Sequence, residues 1–276
     1  MDGKIAYIMS RFPHLPETFI LREMGELKRQ GWNIALYPLI HQEQAVMHAE
    51  AKEWLQQARY SQMLSLGMAK ANVDSLGRHP SELAAIWRES ISENASDPGF
   101  LLRTAALLPL AVDLAQKMQA EGIDHIHAHY ATHPALVAWA IHRLTGIPYS
   151  VTVHAHDIFV SKAMLATKLR EADFIVAISE YNREFLSKTL GSWISEKTNV
   201  IHCGIDPDLY SSGSHCSDLF HCLFLNRHSR FAPACPSAYR AYPSCWTRPI
   251  TRRCRPPLRK PHSSNPQSPS WIKVFS

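Results

Sequence analysis

Two pairs of histidines set out the chemistry available to this chain. His127 and His129 stand two residues apart, as do His154 and His156, and Asp157 follows directly. On a strand that spacing puts both members of a pair on one face. A histidine at a strand end can donate to a hydroxyl and titrates near neutral pH. A carboxylate beside it can orient a hydroxyl or stabilise positive charge. His154 and Asp157 are therefore the candidate catalytic pair. The competing reading makes Asp157 the cap of a following helix and His154 a satisfied rim residue. A metal is disfavoured: zinc takes four His, Cys or carboxylate ligands, and the chain has no H-E-x-x-H and no C-x-x-C. The histidines are expected to hydrogen-bond, and no metal is expected.

Positioning these groups requires strands that end near one another. Lys4 to Met9 reads as a strand, followed by the turn Ser10-Arg-Phe-Pro-His-Leu-Pro16. A helix is expected from about Glu17, with Pro16 as its pre-set first residue, carrying apolar Phe19, Ile20, Met24 and Leu27 and closing at Gly31. Asn33 to Ile40 is a second strand. Gln42 to Met118 reads as several helices, broken near Gly67, at Gly77 to Pro80 and at Asp97-Pro98-Gly99. Alternation then resumes. Strands are expected over Asp124 to His129, Tyr149 to Val153, Asp173 to Ile178 and Asn199 to His202. Helices are expected from Pro134 to Leu144 with Thr132 as cap, from Lys162 to Ala172, and from Ser179 to about Thr189. This is the pattern of a doubly wound parallel α/β sheet, Rossmann-like in class.

In such a sheet, ligands bind beyond the carboxyl ends of the strands. The residues found there are Ser10, Arg11, Pro16, Glu17 and Thr18 after the first strand, and His127 and His129 at the third. His154, His156 and Asp157 follow the fourth, Ser179 and Glu180 the fifth, and Gly204 the sixth. The first turn leads into a helix N-terminus, whose free N–H groups favour an anion such as a diphosphate. No G-x-G-x-x-G occurs, so a dinucleotide fingerprint is lacking, and Pro13 and Pro16 could equally just shape a tight turn.

Composition divides the chain. It has 276 residues, 46% of them apolar and 19% charged, which excludes disorder along its whole length. No repeat is visible, so a solenoid is not expected. Residues 211–276 hold ten Lys and Arg against the single acid Asp218, while residues 1–210 hold 19 basic and 23 acidic groups. The net charge of +5 describes neither part and does not argue for nucleic acid. The tail also carries five of the six cysteines and nine of the 18 prolines. It is expected to be a low-complexity, disordered segment after a domain spanning 1–210. Met1 to Ile20 lacks the apolar core of a signal peptide. Phe100 to Ala115, interrupted by Arg103, Pro109 and Asp113, falls short of the roughly 20 apolar residues of a span. With one cysteine in 1–210, a cytoplasmic location is expected, leaving peripheral membrane contact open.

Four segments carry a resemblance: His125-Ile-His-Ala-His-Tyr-Ala-Thr-His-Pro-Ala, Gly146-Ile-Pro-Tyr-Ser-Val-Thr-Val-His-Ala-His-Asp-Ile, Ala172-Asp-Phe-Ile-Val-Ala-Ile-Ser-Glu-Tyr-Asn and Val200-Ile-His-Cys-Gly-Ile-Asp. In this order they resemble the N-terminal half of family 4 glycosyltransferases over about residues 4–210. Arg11-Phe-Pro-His-Leu-Pro-Glu-Thr-Phe-Ile looks like the branch that builds exopolysaccharide of the colanic-acid type. The resemblance implies the acceptor-side domain of a two-domain, GT-B type retaining enzyme. It implies a nucleotide sugar as donor substrate, no further cofactor, and a lipid-linked saccharide acceptor at the inner membrane face. His154 would touch the transferring sugar and Ser10 to Glu17 would lie near the donor diphosphate. Residues 211–276 contain no glutamate, whereas the family's second domain carries a glutamate pair there. The tail therefore reads as a frameshift or truncation product, a cysteine module, or a basic arm, and the first reading implies little transferase activity. The alternative function is a non-catalytic glycan- or membrane-binding module.

Overall fold

The computed structural model describes residues 3–14, 17–44, 47 and 49–204. The 211–276 tail and Pro16 lie outside the described residues.

Among the described residues, six strands form one parallel sheet. They are β1 (Lys4–Phe12), β2 (Asn33–His41), β3 (His125–His129), β4 (Tyr149–Val153), β5 (Phe174–Ala177) and β6 (Thr198–Val200), in the order β2-β1-β3-β4-β5-β6. The chain moves outward from β1 to β2, crosses back over β1, and then proceeds the other way from β3. The direction of winding thus reverses between β1 and β3. Strand β1 runs three residues past its expected end at Met9, into the expected turn. Arg11 pairs with Ile40, and the Phe12 carbonyl accepts from the Gln42 amide and the Tyr60 hydroxyl.

The helices are α1 (Thr18–Arg29), α2 (Ala49–Gln57), α3 (Leu66–Arg78), α4 (Pro80–Asn94), α5 (Pro98–Ala120), α6 (His133–Thr145), α7 (Ala155–Phe159), α8 (Leu165–Arg170), α9 (Glu180–Leu190) and α10 (Trp193–Lys197). Alternation along β1 sends Ile5, Tyr7 and Met9 into a core with Ile20, Met24 and Leu27 of α1 and Trp54 of α2. Ala6 and Ile8 face a second core built with Leu110, Ala111 and Leu114 of α5 and Trp139 of α6. Burying apolar side chains on both faces contributes roughly 1.5–3 kcal/mol for each large one.

Capping explains several boundaries. Ser65 accepts from the Met68 amide, so Gly67 lies inside the first turn of α3 rather than breaking it. Asp97 accepts from the Phe100 amide ahead of Pro98, which starts α5. Thr132 occupies the cap position of α6, but its hydroxyl makes no cap bond. Gly146 ends α6 at a φ of 74°, a conformation that other residues rarely adopt. Helix α5 runs for 23 residues and is long and apolar enough to cross a membrane by length and composition. Its apolar side is buried in the second core.

Candidate functional site

The polar groups gather where β1, β3 and β4 end, at the reversal of winding, and α1 lies over them. The two-residue period of β3 sends Ile126 and Ala128 to the α5–α6 core. It sends His127 and His129 to the α1 face, with Tyr7 of β1 paired to His127. Both histidines are buried, at 1% and 0% exposure. His127 bonds through Nδ1 to the Ser150 hydroxyl at 2.7 Å and through Nε2 to the Thr152 hydroxyl at 2.9 Å. Burial, reinforced by the neighbouring His129, lowers its pKa to about 3, so it is neutral.

Glu23 reaches this cluster from the inner side of α1. Its Oε1 accepts from the Tyr7 hydroxyl at 2.7 Å and lies 3.5 Å from His129 Nε2 and 3.7 Å from His127 Nε2. Burial would raise the Glu23 pKa. The adjacent His129 and His127 and the hydrogen bond from the Tyr7 hydroxyl together outweigh it and hold the value near 2. Tyr7 shifts upward, through burial first and the adjacent Glu23 charge second. Glu23 was missed from the sequence. The available signal was an acid set within the apolar stripe formed by Ile20, Met24 and Leu27.

His154 follows β4 as the residue before α7. It is 7% exposed, and its ring stands 4.6 Å from that of Tyr130, 5.0 Å from Phe19 and 5.9 Å from His129, between centroids. Its Nε2 makes no hydrogen bond among the described residues. Burial first, then His129, lowers its pKa to about 3, so at neutral pH it offers a neutral imidazole. Tyr130, at a φ of 78°, takes a left-handed conformation where β3 ends, and a non-glycine residue held there is strained.

Asp157 lies behind this rim. It is 1% exposed, with Oδ2 accepting from the Ala131 amide at 2.5 Å and Oδ1 from the His154 amide at 2.8 Å. With the reciprocal His154 contact this forms a capping box that starts α7. Both oxygens are thus spent on backbone, and the carboxylate fixes the β3 and β4 exits relative to each other. In the structure Asp157 thus positions the His154 backbone, the other member of the expected pair. The same turn separates His154 from His156, which is exposed on α7, so these two do not share a strand face. Lys168, also missed from the sequence, is buried nearby on α8. Its Nζ donates to the Thr132 carbonyl at 3.3 Å and sits 5.3 Å over the Phe100 ring, and burial lowers its pKa to about 7 despite the Asp157 charge.

The remaining expected residues are arranged around this centre. Ser10 and exposed Arg11 belong to β1 rather than to a turn. Glu17 is buried at the N-cap position of α1 ahead of Thr18, with Oε1 3.1 Å from His14 Nδ1. Ser179 accepts from the Asn182 amide at 3.2 Å and caps α9; exposed Glu180 pairs with Arg183 at 2.8 Å. Gly204 is exposed after β6.

A family model described as Glycosyltransferase Family 4 matches residues 57–209, more than half of the chain. An uncharacterized glycosyltransferase of Methanocaldococcus jannaschii is 27% identical over 110 residues, 37% of this chain and 30% of that protein. The match therefore spans under a third of that relative's length. Among solved structures, sucrose-phosphate synthase of Thermosynechococcus elongatus aligns with a TM-score of 0.45 and 14% identity, covering 75% of this chain and 50% of that one. Anabaena HepE, solved in complex with UDP-glucose, aligns with a TM-score of 0.45 and 17% identity, covering 76% and 46%.

Proposed function

Because this chain belongs to glycosyltransferase family 4, we propose that it serves the retaining transfer of a sugar from a nucleotide-sugar donor to a lipid-linked saccharide, in the building of an exopolysaccharide. The observation that carries this reading is His154. Its Nε2, without a partner among the described residues, belongs to a ring that packs near two aromatic rings at the β4 rim, beside the point where the winding reverses. Open α/β sheets place ligands at such a point. A neutral imidazole there can donate to, or accept from, a sugar hydroxyl, while Phe19 and Tyr130 offer apolar faces to the C–H side of the ring. Donor diphosphate suits the free N–H groups of the first turn of α1.

Exposed apolar side chains favour acceptor delivery from a cytoplasmic membrane face. Leu64 is 93% exposed and Leu66 91%, with Val73 and Leu76 continuing the exposed side of α3 around Lys70. Apolar side chains flanked by a lysine fit an anionic interface.

The test measures binding of a short lipid-linked oligosaccharide, and separately of UDP-glucose, to the full chain. His154→Ala should weaken saccharide binding at least tenfold while the thermal unfolding profile keeps its cooperativity. Unchanged affinity in the folded variant would remove His154 from the site. In parallel, Leu66→Glu with Val73→Glu should abolish flotation with anionic vesicles; undiminished flotation rejects the α3 surface.

A further inference from the structure

Three polar side chains converge between α1 and the sheet, and the hydrogen bonds of His127 and Glu23 leave His129 without a partner among the described residues. Glu23 comes from the helix, His127 and His129 from one face of β3, and one donor atom of each lies within 4.8 Å of the others. The Glu23 Oε1 separations from the two Nε2 atoms, 3.5 and 3.7 Å, are too long for good N–H···O bonds. They suit two ligands on one ion: donors bound at about 2.1 Å with tetrahedral angles sit roughly 3.4 Å apart. His129 is fully buried, yet among the described residues neither ring nitrogen has a hydrogen-bond partner. A buried polar atom left in that state is expensive and calls for a partner.

We propose that Glu23, His127 and His129 form a binding site for a divalent transition metal ion of the zinc class. Two imidazoles and a carboxylate are a borderline donor set that suits zinc over magnesium or calcium. The surrounding contacts are those of a ligand shell. Ser150 Oγ holds the far nitrogen of His127 at 2.7 Å, and the Tyr7 hydroxyl holds Glu23 at 2.7 Å, so two ligands are already oriented. Binding through His127 Nε2 replaces its contact with the Thr152 hydroxyl. The fourth position is reached from the Glu23 side, which is 26% exposed. An ion there ties α1 to β3 directly behind the His154 rim, and it needs no part in the sugar chemistry proposed above.

The experiment uses the full chain, stripped by chelator and with its cysteines alkylated, because six thiols compete for the same metals. Zinc is titrated against a chromophoric chelator, and cobalt is added alone to read its ligand-field spectrum. One equivalent should bind, with the visible band of four-coordinate nitrogen and oxygen ligation. Glu23→Gln and His129→Asn should each weaken zinc at least 100-fold. A folded wild-type protein that takes up no zinc overturns the proposal, as does binding of equal strength in both variants. If a variant fails to fold, the histidine ring signals of 15N-labelled wild-type protein decide. Zinc-induced shifts of two imidazoles support the site, and unmoved spectra refute it.

Discussion

The Asp157 carboxylate offers the sharpest test of how the rim is held. Replacing it with alanine strips the acceptor from two buried amides, those of Ala131 and His154. An unsatisfied buried donor costs about 1–3 kcal/mol, so the two orphaned amides cost Asp157→Ala about 2–6 kcal/mol, offset by whatever removing a buried charge returns. Asparagine behaves differently. Burial raises the Asp157 pKa from 3.8 to about 6, against the pull of its backbone hydrogen bonds. A raised carboxyl pKa means that the folded protein holds its proton more tightly than the unfolded chain does. Its contribution is greatest below pH 3.8 and is lost as pH rises through 6. At pH 7 the ionised group costs about 3 kcal/mol, which asparagine avoids while forfeiting one amide acceptor. Asp157→Asn should therefore be near neutral at pH 7. At pH 5, about one unit below the folded pKa, the wild type regains about 1.4 kcal/mol over the variant. Urea unfolding of both proteins at pH 5 and pH 7 measures this difference, and groups common to both cancel. An Asp157→Ala variant no less stable than Asp157→Asn at pH 7, or a wild-type minus Asp157→Asn difference that is flat with pH, would refute the account.

Two further outcomes follow from the same structure. His127 and His154, lowered from 6.5 to about 3 chiefly by burial, bind protons more readily unfolded than folded. Stability should thus fall as pH drops below 6.5, by roughly 2 kcal/mol per histidine at pH 5; an acid limb that stays level to pH 4.5 in chemical unfolding would contradict their burial as neutral rings. Ser179→Ala should cost about 1 kcal/mol by leaving the Asn182 amide uncapped, read as a lower urea midpoint at constant slope.

The alternation of strands and helices is local information, and the β/α order around the sheet could be read from periodicity and turn residues. What could not be read came from contacts across the sheet. Ser10 and Arg11 look like a turn because they are polar, yet pairing with β2 extends the strand through them. His154-Ala-His156 looks like a strand continuing past Val153, and only the reach of Asp157 back to the His154 amide shows the chain turning into α7. The histidines were visible as a group. Glu23 and Tyr7 were not, because joining them to His127 needs the β1–β3 register and the helix face that covers it. Lys168 gave no signal, since a lysine is ordinarily a surface residue and here it is enclosed.

The strand order has a consequence for how the molecule assembles. Strand β1 is made before the other five strands of the sheet but ends up flanked on both sides, with β3 as its second neighbour more than a hundred residues later. Until that partner has been synthesised, one edge of the earliest strand stays unpaired, and an unpaired edge is a template for wrong association. Closing so large a loop is slow relative to local helix formation. The nascent protein should therefore depend most on protection from aggregation during synthesis of residues 42–124, and gain protease resistance abruptly once His125–His129 clears the ribosome.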